Sequence, residues 1–286
     1  MTSSTLLNYS DDNTVVYSHA NLSHLTSTLS HDSNIAVTWF RNNGMQANPT
    51  KFQCIISHKS HRVYSPLYID SAALVPEETV KLLGVTFDVK LTFEQHVNDI
   101  CKKASRDLNI LKRFSKILST ANKTRIFHSF IVSHFNYCPV IWHFCSKRKT
   151  KMLDKIQERS LRFVFNDKLS SYDDLLKRIK KDPLHVTRLK SILILVYKCI
   201  NNLCPTYVNS LFTIKVSVYT MRDNLLTQQP KMNTVFHGLN SLLYHGSKMW
   251  NSLPVYIKNA TSLQRFKSLI KKYKKPLCTC HHCTHV

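Results

Sequence analysis

The middle of the chain repeats its apolar residues at the spacing of one helix face. The repeat begins after Thr92, and its members recur every three or four positions: Val97, Ile100, Ala104, Leu108 and Leu111. This spacing predicts an amphipathic helix with one buried stripe, and comparable stripes follow further along. Because only 4 of the 286 residues are glycine, against a usual share of about 7%, we predict a largely helical chain.

The other faces of these predicted helices carry lysine and arginine. The cations form two groups: Lys102, Lys103, Arg106, Lys112, Arg113 and Lys116 in the first helix, and Lys147, Arg148, Lys149 and Lys151 in a later one. The chain has 40 Lys and Arg against 17 Asp and Glu, a net charge of +23. A charge this large predicts a polyanionic partner, nucleic acid before membrane. A basic face that is merely solvated is the alternative.

Three features bear on where the protein works. The longest apolar runs, such as residues 192–196, are much too short to cross a bilayer, so no membrane partner is expected. Residues 1–5 contain no basic segment leading into an apolar run, so no signal peptide is expected. The 9 cysteines are odd in number and sit mostly in apolar helical patterns, which favours reduced thiols in a nuclear or cytoplasmic protein.

Two short apolar runs near the N-terminus flank a tight polar turn. The turn is Ser10-Asp11-Asp12-Asn13, between residues 6–9 and 14–17. Apolar and β-branched residues favour strands while Asp and Asn favour turns, so the segment predicts a β-hairpin with two carboxylates at its tip. Adjacent carboxylates repel each other, and the pair is therefore either solvated, as in ordinary loops, or shares a divalent cation.

The rest of the N-terminal part predicts one helix and several short strands. The helix follows Asn21, a suitable N-cap, and ends near Gly44. Strands are predicted at residues 52–57, 63–69 and 80–87. A hairpin, a helix and antiparallel strands that precede a long helical region predict an α+β fold that is mostly α.

The C-terminal part predicts a strand at residues 236–244 and ends in a tail rich in Cys and His. Cys278, Cys280, Cys283 and His285 are potential zinc ligands in this tail. Cys280 and Cys283 have the spacing of one ligand pair, but no second pair follows them. A zinc site and a tail with adventitious metal affinity are both open interpretations.

Several of these segments together resemble one family of polymerases. The chain is similar to the reverse transcriptases of jockey-like non-LTR retrotransposons, on the strength of Tyr9-Ser10-Asp11-Asp12, Trp39, Asn48-Pro49-Thr50-Lys51 and residues 80–88, 91–97, 100–104, 135–142 and 250–254. The resemblance implies a partial polymerase palm at 1–90, a thumb-like basic helical region at 91–204, a C-terminal region at 205–275 and the Cys/His-rich tail at 276–286.

The resemblance also implies a chemistry, RNA-directed DNA synthesis. A primer 3′-hydroxyl attacks an incoming deoxynucleotide while Mg²⁺ ions stabilise the entering and leaving oxygens. Asp11 is expected to bind Mg²⁺ and Asp12 to have a secondary role, while Lys51 neutralises or protonates the leaving pyrophosphate. An exposed strand-edge lysine is the alternative for Lys51. The cationic helices are expected to contact phosphates of an RNA and DNA template-primer.

The chain departs from the family pattern at two points. Ser10 stands where the family has Ala, which is a mild change. No acid precedes Tyr9, although polymerases of this kind need a further metal-binding Asp on an earlier strand and fingers that hold the nucleotide. We therefore expect a C-terminal fragment that does not polymerise DNA alone. A sequence-independent nucleic-acid-binding protein and a decaying open reading frame are the alternatives.

Overall fold

The computed structural model describes residues 3–57, 66–215 and 223–273, and the chain divides into two compact units, Met1–Leu91 and Thr92–Val286. The first unit contains one long helix and three two-stranded antiparallel sheets among its described residues. Its elements are β1 Thr5–Tyr9, β2 Asp12–Val16, α1 Leu22–Asn42, a 3₁₀ turn Pro49–Lys51, β3 Leu67–Ile69, β4 Ala72–Leu74, β5 Thr79–Leu82 and β6 Val85–Asp88.

The core of the first unit forms on one side of α1. Asn21 caps this helix as predicted, accepting a hydrogen bond from the His24 amide. Cys54, Ile56 and Leu67 are buried against partly buried leucines of α1. The strand predicted at residues 52–57 is wrong, because in this described segment alternate side chains are buried without any strand pairing. The strand predicted at 80–87 is instead the β5–β6 hairpin, which turns at Leu83 and Gly84.

Apart from loops and one isolated β-bridge between Ile214 and Thr227, the described residues of the second unit are helical. Its elements are α2 Glu94–Arg113, α3 Thr120–Ile126, a π-helical segment Phe127–Val132, α4 Ser133–Asn136, α5 Pro139–Trp142, α6 Lys147–Phe165, α7 Tyr172–Ile179, α8 Leu184–Ile200, α9 Thr206–Asn209, a second π-helical segment Val235–Leu239, α10 Leu242–Asn251, α11 Val255–Lys258 and α12 Leu263–Lys272. The strand predicted at 236–244 is therefore wrong. Among the described residues, every helix is too short or too polar to cross a bilayer.

The helices of the second unit enclose two apolar cores. The first core packs α2, the π-helical segment Phe127–Val132, α6 and α7 together, and it includes the predicted stripe of α2. Leu111, at the end of that stripe, is only partly buried. The second core packs α8 against α10, α11 and α12 around Trp250, Phe266 and Tyr197. The α+β class, mostly α, is confirmed by this architecture.

The π-helical segment between α3 and α4 changes which side chains face the first core. Phe127, Ile131 and Phe135 are buried at a constant spacing of four residues, whereas Phe130 is 57% exposed. An α-helical repeat would drift away from this spacing, but the wider turn of a π-helix keeps the three residues aligned. Phe130 therefore lies outside the buried row of this segment.

Three helices of the second unit end in a left-handed residue that is not glycine. Asn166, Lys180 and Asn202 follow α6, α7 and α8 with φ of +50°, +56° and +56°. In each case the amide of the next residue donates to a carbonyl of the last helical turn, at 2.8 to 3.1 Å. This is the helix-ending motif that glycine usually forms, because glycine has no Cβ to oppose a positive φ.

Trp250 and Asn251 of α10 hold the loop that precedes this helix. The Trp250 side chain is fully buried, and its Nε1 donates to the Leu225 carbonyl at 2.6 Å. Asn251 makes a two-way contact with the Thr227 backbone, accepting from its amide at 2.8 Å and donating to its carbonyl at 3.0 Å. Trp250 and Asn251 are the first two residues of the segment 250–254, which carries part of the family resemblance. Their contacts give this segment a structural role.

A partly buried carboxyl lies near Arg188, where α5, α6 and α8 meet. Arg188 is 2% exposed, lies 5.2 Å from the Trp142 ring centroid, and donates from Nε to His143 Nδ1 at 3.4 Å. Asp154 of α6 has a buried Oδ1 with no hydrogen-bond partner. Burial raises the pKa of Asp154 to about 6, although the Arg188 charge opposes the rise. The ionised carboxylate therefore costs stability at neutral pH.

We expect Asp154→Asn to stabilise the protein at neutral pH by on the order of 2 kcal/mol. The pKa of Asp154 is raised on folding, so its native carboxyl binds more protons than the unfolded one between about pH 4 and pH 6. The free energy of unfolding then falls as pH rises through this window. Denaturant titrations of both proteins should diverge across it and agree below it. Asp173→Asn, at an exposed site of α7, is the control, and destabilisation by Asp154→Asn at pH 8 would contradict the expectation.

Candidate metal-binding hairpin and nucleic-acid interface

The predicted carboxylate hairpin is present at the N-terminus. Strands β1 and β2 pair from Thr5 opposite Val16 to Tyr9 opposite Asp12, so Ser10 and Asp11 form a two-residue turn. Ser10 has a φ of +56°, which tight hairpin turns require. Asp11 and Asp12 are both exposed. The hairpin therefore presents two neighbouring carboxylates to solvent.

The base of this hairpin is anchored by a buried aspartate that is not among the predicted site residues. Asp32 of α1 is 0% exposed. Its Oδ2 accepts from the Ser3 and Ser4 amides at 3.3 and 2.9 Å and from the Ser4 hydroxyl at 2.6 Å. The sequence did contain a signal for Asp32. This acid lies on the same face of α1 as Leu25 and Leu29, where an apolar residue is expected.

The hairpin tip is suited to contribute ligands to a hard cation. Mg²⁺ prefers carboxylate oxygens and commonly binds through one or two of them, keeping several waters. Asp11 and Asp12 supply such oxygens, and Asn13 Nδ2 donates to the Asp11 carbonyl at 3.2 Å, which holds the turn. Among the described residues, no cluster of three or more His, Cys, Asp or Glu side chains is placed to hold a metal ion.

Lys51 lies in the same unit, at the end of a 3₁₀ turn. Asn48 caps this turn, accepting from the Thr50 amide at 3.1 Å and from the Thr50 hydroxyl at 2.7 Å. Lys51 itself is exposed. Within the described part of the chain, no ion pair joins Lys51 to Asp11 or Asp12. The predicted role of Lys51 at a pyrophosphate stays a prediction.

The cations predicted on α2 are solvent-exposed. Lys102, Arg106 and Arg113 lie opposite the buried stripe, at spacings of four and seven residues. Lys103, Lys112 and Lys116 are also exposed. Arg106 is within 3.4 Å of Asp107, but its side chain stays 70% exposed, so this contact leaves the guanidinium accessible. The outer face of α2 is therefore available to phosphate groups.

Helix α6 carries a straighter row of cations. Arg148, Lys151, Lys155 and Arg159 are all exposed and lie three, four and four residues apart, which places them along one face of the helix. We call these four residues the α6 stripe. Arg162, one turn further, is instead paired with Glu158 at 2.7 Å. The stripe is the densest row of unpaired cations on α6 among the described residues.

Lys149 differs from the other predicted phosphate-binding residues. Its side chain is only 8% exposed, and its Nζ donates to Asn98 Oδ1 of α2 at 2.5 Å. Lys149 therefore contributes to the packing of α2 against α6 and does not lie on the outer surface. Lys147, at the start of α6, is partly exposed.

The proposed zinc ligands Cys278, Cys280, Cys283 and His285 lie outside the described residues.

Comparison with known proteins supports a relationship to retrotransposon polymerases. Over 130 residues, 44% of this chain, the sequence is 28% identical to the probable RNA-directed DNA polymerase from transposon X-element of Drosophila melanogaster. The aligned segment covers 14% of the length of that relative. No family model matches the chain, and no solved structure matches it. The similarity agrees with the resemblance seen in the sequence motifs, at the level of a reverse-transcriptase relationship.

Proposed function

We propose that this chain is a C-terminal portion of a jockey-like non-LTR retrotransposon reverse transcriptase and that its helical unit holds the template-primer. The similarity to the X-element polymerase is the observation that carries this proposal. The exposed cations of α2 and the α6 stripe support it, because rows of lysine and arginine neutralise phosphates without reading sequence. The nucleic acid is an RNA template paired with a DNA primer.

In this proposal, the hairpin contributes to the polymerase metal centre. Asp11 supplies a carboxylate oxygen to Mg²⁺, and Asp12 balances charge beside it. The chemistry that Mg²⁺ supplies is charge stabilisation at the phosphate during transfer of a deoxynucleotide. Asp32 acts as a positioning residue, since its contacts with Ser3 and Ser4 tie the base of β1 to α1.

Binding of a labelled RNA-DNA template-primer, followed by fluorescence anisotropy at several salt concentrations, tests the proposal. We expect the logarithm of the association constant to fall linearly with the logarithm of salt concentration, with a slope on the order of −5 if about six phosphates are contacted. Binding that does not change with salt would contradict phosphate recognition.

Any primer extension seen in Mg²⁺ should disappear in Asp11→Ala, and its survival would remove Asp11 from the metal site.

A second candidate function is sequence-independent nucleic-acid binding by the helical unit in its own right. The net charge of +23 favours it, because such a charge attracts any polyanion. The same titration distinguishes the two. Preference for the RNA-DNA duplex over single strands favours template-primer binding, and equal affinity for all of them favours the second candidate.

A further inference from the structure

Two cysteines meet where α8 ends. Cys199 lies in the last turn of α8 and is 2% exposed, within the second core. Cys204 follows the end of the helix, is partly exposed, and packs against the same core. Both side chains pack at the same core, and Cys204 is close enough to Cys199 to contribute to the raised pKa of its thiol. This pairs a buried thiol with one that solvent reaches.

The backbone holds the two thiols together. Asn202 adopts a left-handed conformation that reverses the chain, and the Leu203 amide donates to the Lys198 carbonyl at 2.8 Å. Asn209 of α9 then fixes Cys204 on both sides, accepting from its amide at 3.2 Å and donating to its carbonyl at 2.8 Å. Cys204 is thereby held just beyond the end of α8, against the core that contains Cys199.

The other described cysteines offer no comparable arrangement. Cys101 and Cys145 are both buried, so neither gives an oxidant direct access. Cys54 is buried in the first unit. Cys138 is partly exposed and, among the described residues, is not a member of the two apolar cores that contain the other cysteines of this unit. A reversible disulfide requires one accessible thiol and a second within reach, and Cys204 and Cys199 meet both conditions.

We propose that Cys199 and Cys204 form a reversible disulfide when the protein meets a peroxide. The Cys204 thiolate attacks one peroxide oxygen, the O–O bond breaks, and hydroxide leaves, which gives a sulfenic acid on Cys204. The Cys199 sulfur then attacks the Cys204 sulfur, the S–O bond breaks, and the Cys199 proton leaves with the hydroxyl as water. Two thiols are oxidised and one peroxide is reduced to two waters.

The environment of Cys199 makes it the second thiol to react. Burial, with a further contribution from Cys204, raises the pKa of Cys199 to about 12, so this sulfur is protonated at neutral pH and does not react first with peroxide. Once formed, the bond ties the last turn of α8 to the segment that leads into α9. It is independent of the proposed nucleic-acid binding.

Mass spectrometry of the full-length protein tests the proposal directly. Tryptic cleavage after Lys198 and Lys215 places both cysteines in one peptide, residues 199–215. After hydrogen peroxide treatment, denaturation and alkylation with N-ethylmaleimide, this peptide should lose the mass of two hydrogens and both alkyl groups. Dithiothreitol before alkylation should restore both groups. A peptide that keeps both alkyl groups, or that carries sulfinic acid on Cys204 beside an alkylated Cys199, would overturn the proposal.

Variants separate the role of the fold from mere proximity in sequence. Cys204→Ser should leave Cys199 alkylated after peroxide, whereas Cys138→Ser should oxidise like the parent protein. Asn209→Ala should slow formation of the bond, because it releases the Cys204 backbone. Oxidation of the 199–215 peptide at equal rates in native and urea-unfolded protein would show that the fold does not create the pair, and the proposal would be wrong.

Discussion

Replacing the four residues of the α6 stripe with glutamine should weaken template-primer binding on the order of 10²-fold or more at moderate salt. Arg148, Lys151, Lys155 and Arg159 are exposed along one face of α6, so each is free to displace a condensed counterion from a phosphate. Removing four such contacts should also reduce the magnitude of the salt slope by about 3 to 4. Fluorescence anisotropy of the same labelled duplex at several salt concentrations measures both effects.

A matched variant on α12 controls for the change in net charge. Arg265, Lys267, Lys271 and Lys272 are also exposed, and their replacement by glutamine removes the same four charges. We expect this variant to reduce the magnitude of the slope by about 1 or less, since long-range attraction is screened at moderate salt. Equal losses in the two variants would mean that total charge, and not the α6 stripe, determines binding.

Trp250→Ala should lower the free energy of unfolding by at least about 4 kcal/mol. Truncating a buried tryptophan typically costs about 3–5 kcal/mol, and the Leu225 carbonyl loses its hydrogen bond from Nε1, a further cost of about 1–3 kcal/mol if it stays buried. Such a loss is a large fraction of the stability of a domain, which is typically about 5–15 kcal/mol. Denaturant titration followed by circular dichroism measures it.

Two further tryptophan variants separate burial from residue type. Trp250→Phe keeps most of the apolar surface but removes the donor to Leu225, so its loss should be intermediate. Trp39 of α1 is 57% exposed, and Trp39→Ala should cost about 1 kcal/mol or less. If Trp39→Ala and Trp250→Ala lost equal stability, the packing of the second core would not explain the effect.

The elements that the sequence predicted well are those in which the local pattern and the tertiary contacts agree. The β1–β2 hairpin has apolar strands and a polar turn, and both halves pair within a few residues. The stripe of α2 is buried because its period matches an α-helix. The burial of Lys149 could not be predicted from local pattern. It depends on a contact with Asn98 of another helix, and no local pattern in α6 encodes that contact.

The incorrect predictions have identifiable physical causes. Residues 52–57 alternate in burial like a strand, but packing against α1 produces that alternation without pairing. At the candidate site, the pattern identified Asp11 and Asp12 but not Asp32, whose importance comes from contacts with residues about 28 positions away.

The left-handed helix ends have a consequence for the evolution of this fold. A non-glycine residue in this conformation costs about 1–2 kcal/mol, although asparagine tolerates it better than most residues. The steric cost of the left-handed conformation is therefore small at Asn166 and Asn202 and larger at Lys180. With only 4 glycines in the chain, the native sequence lies below the stability that its own backbone permits. Glycine at these helix ends would remove the steric cost, and the stability gained could compensate for destabilising substitutions elsewhere in the chain.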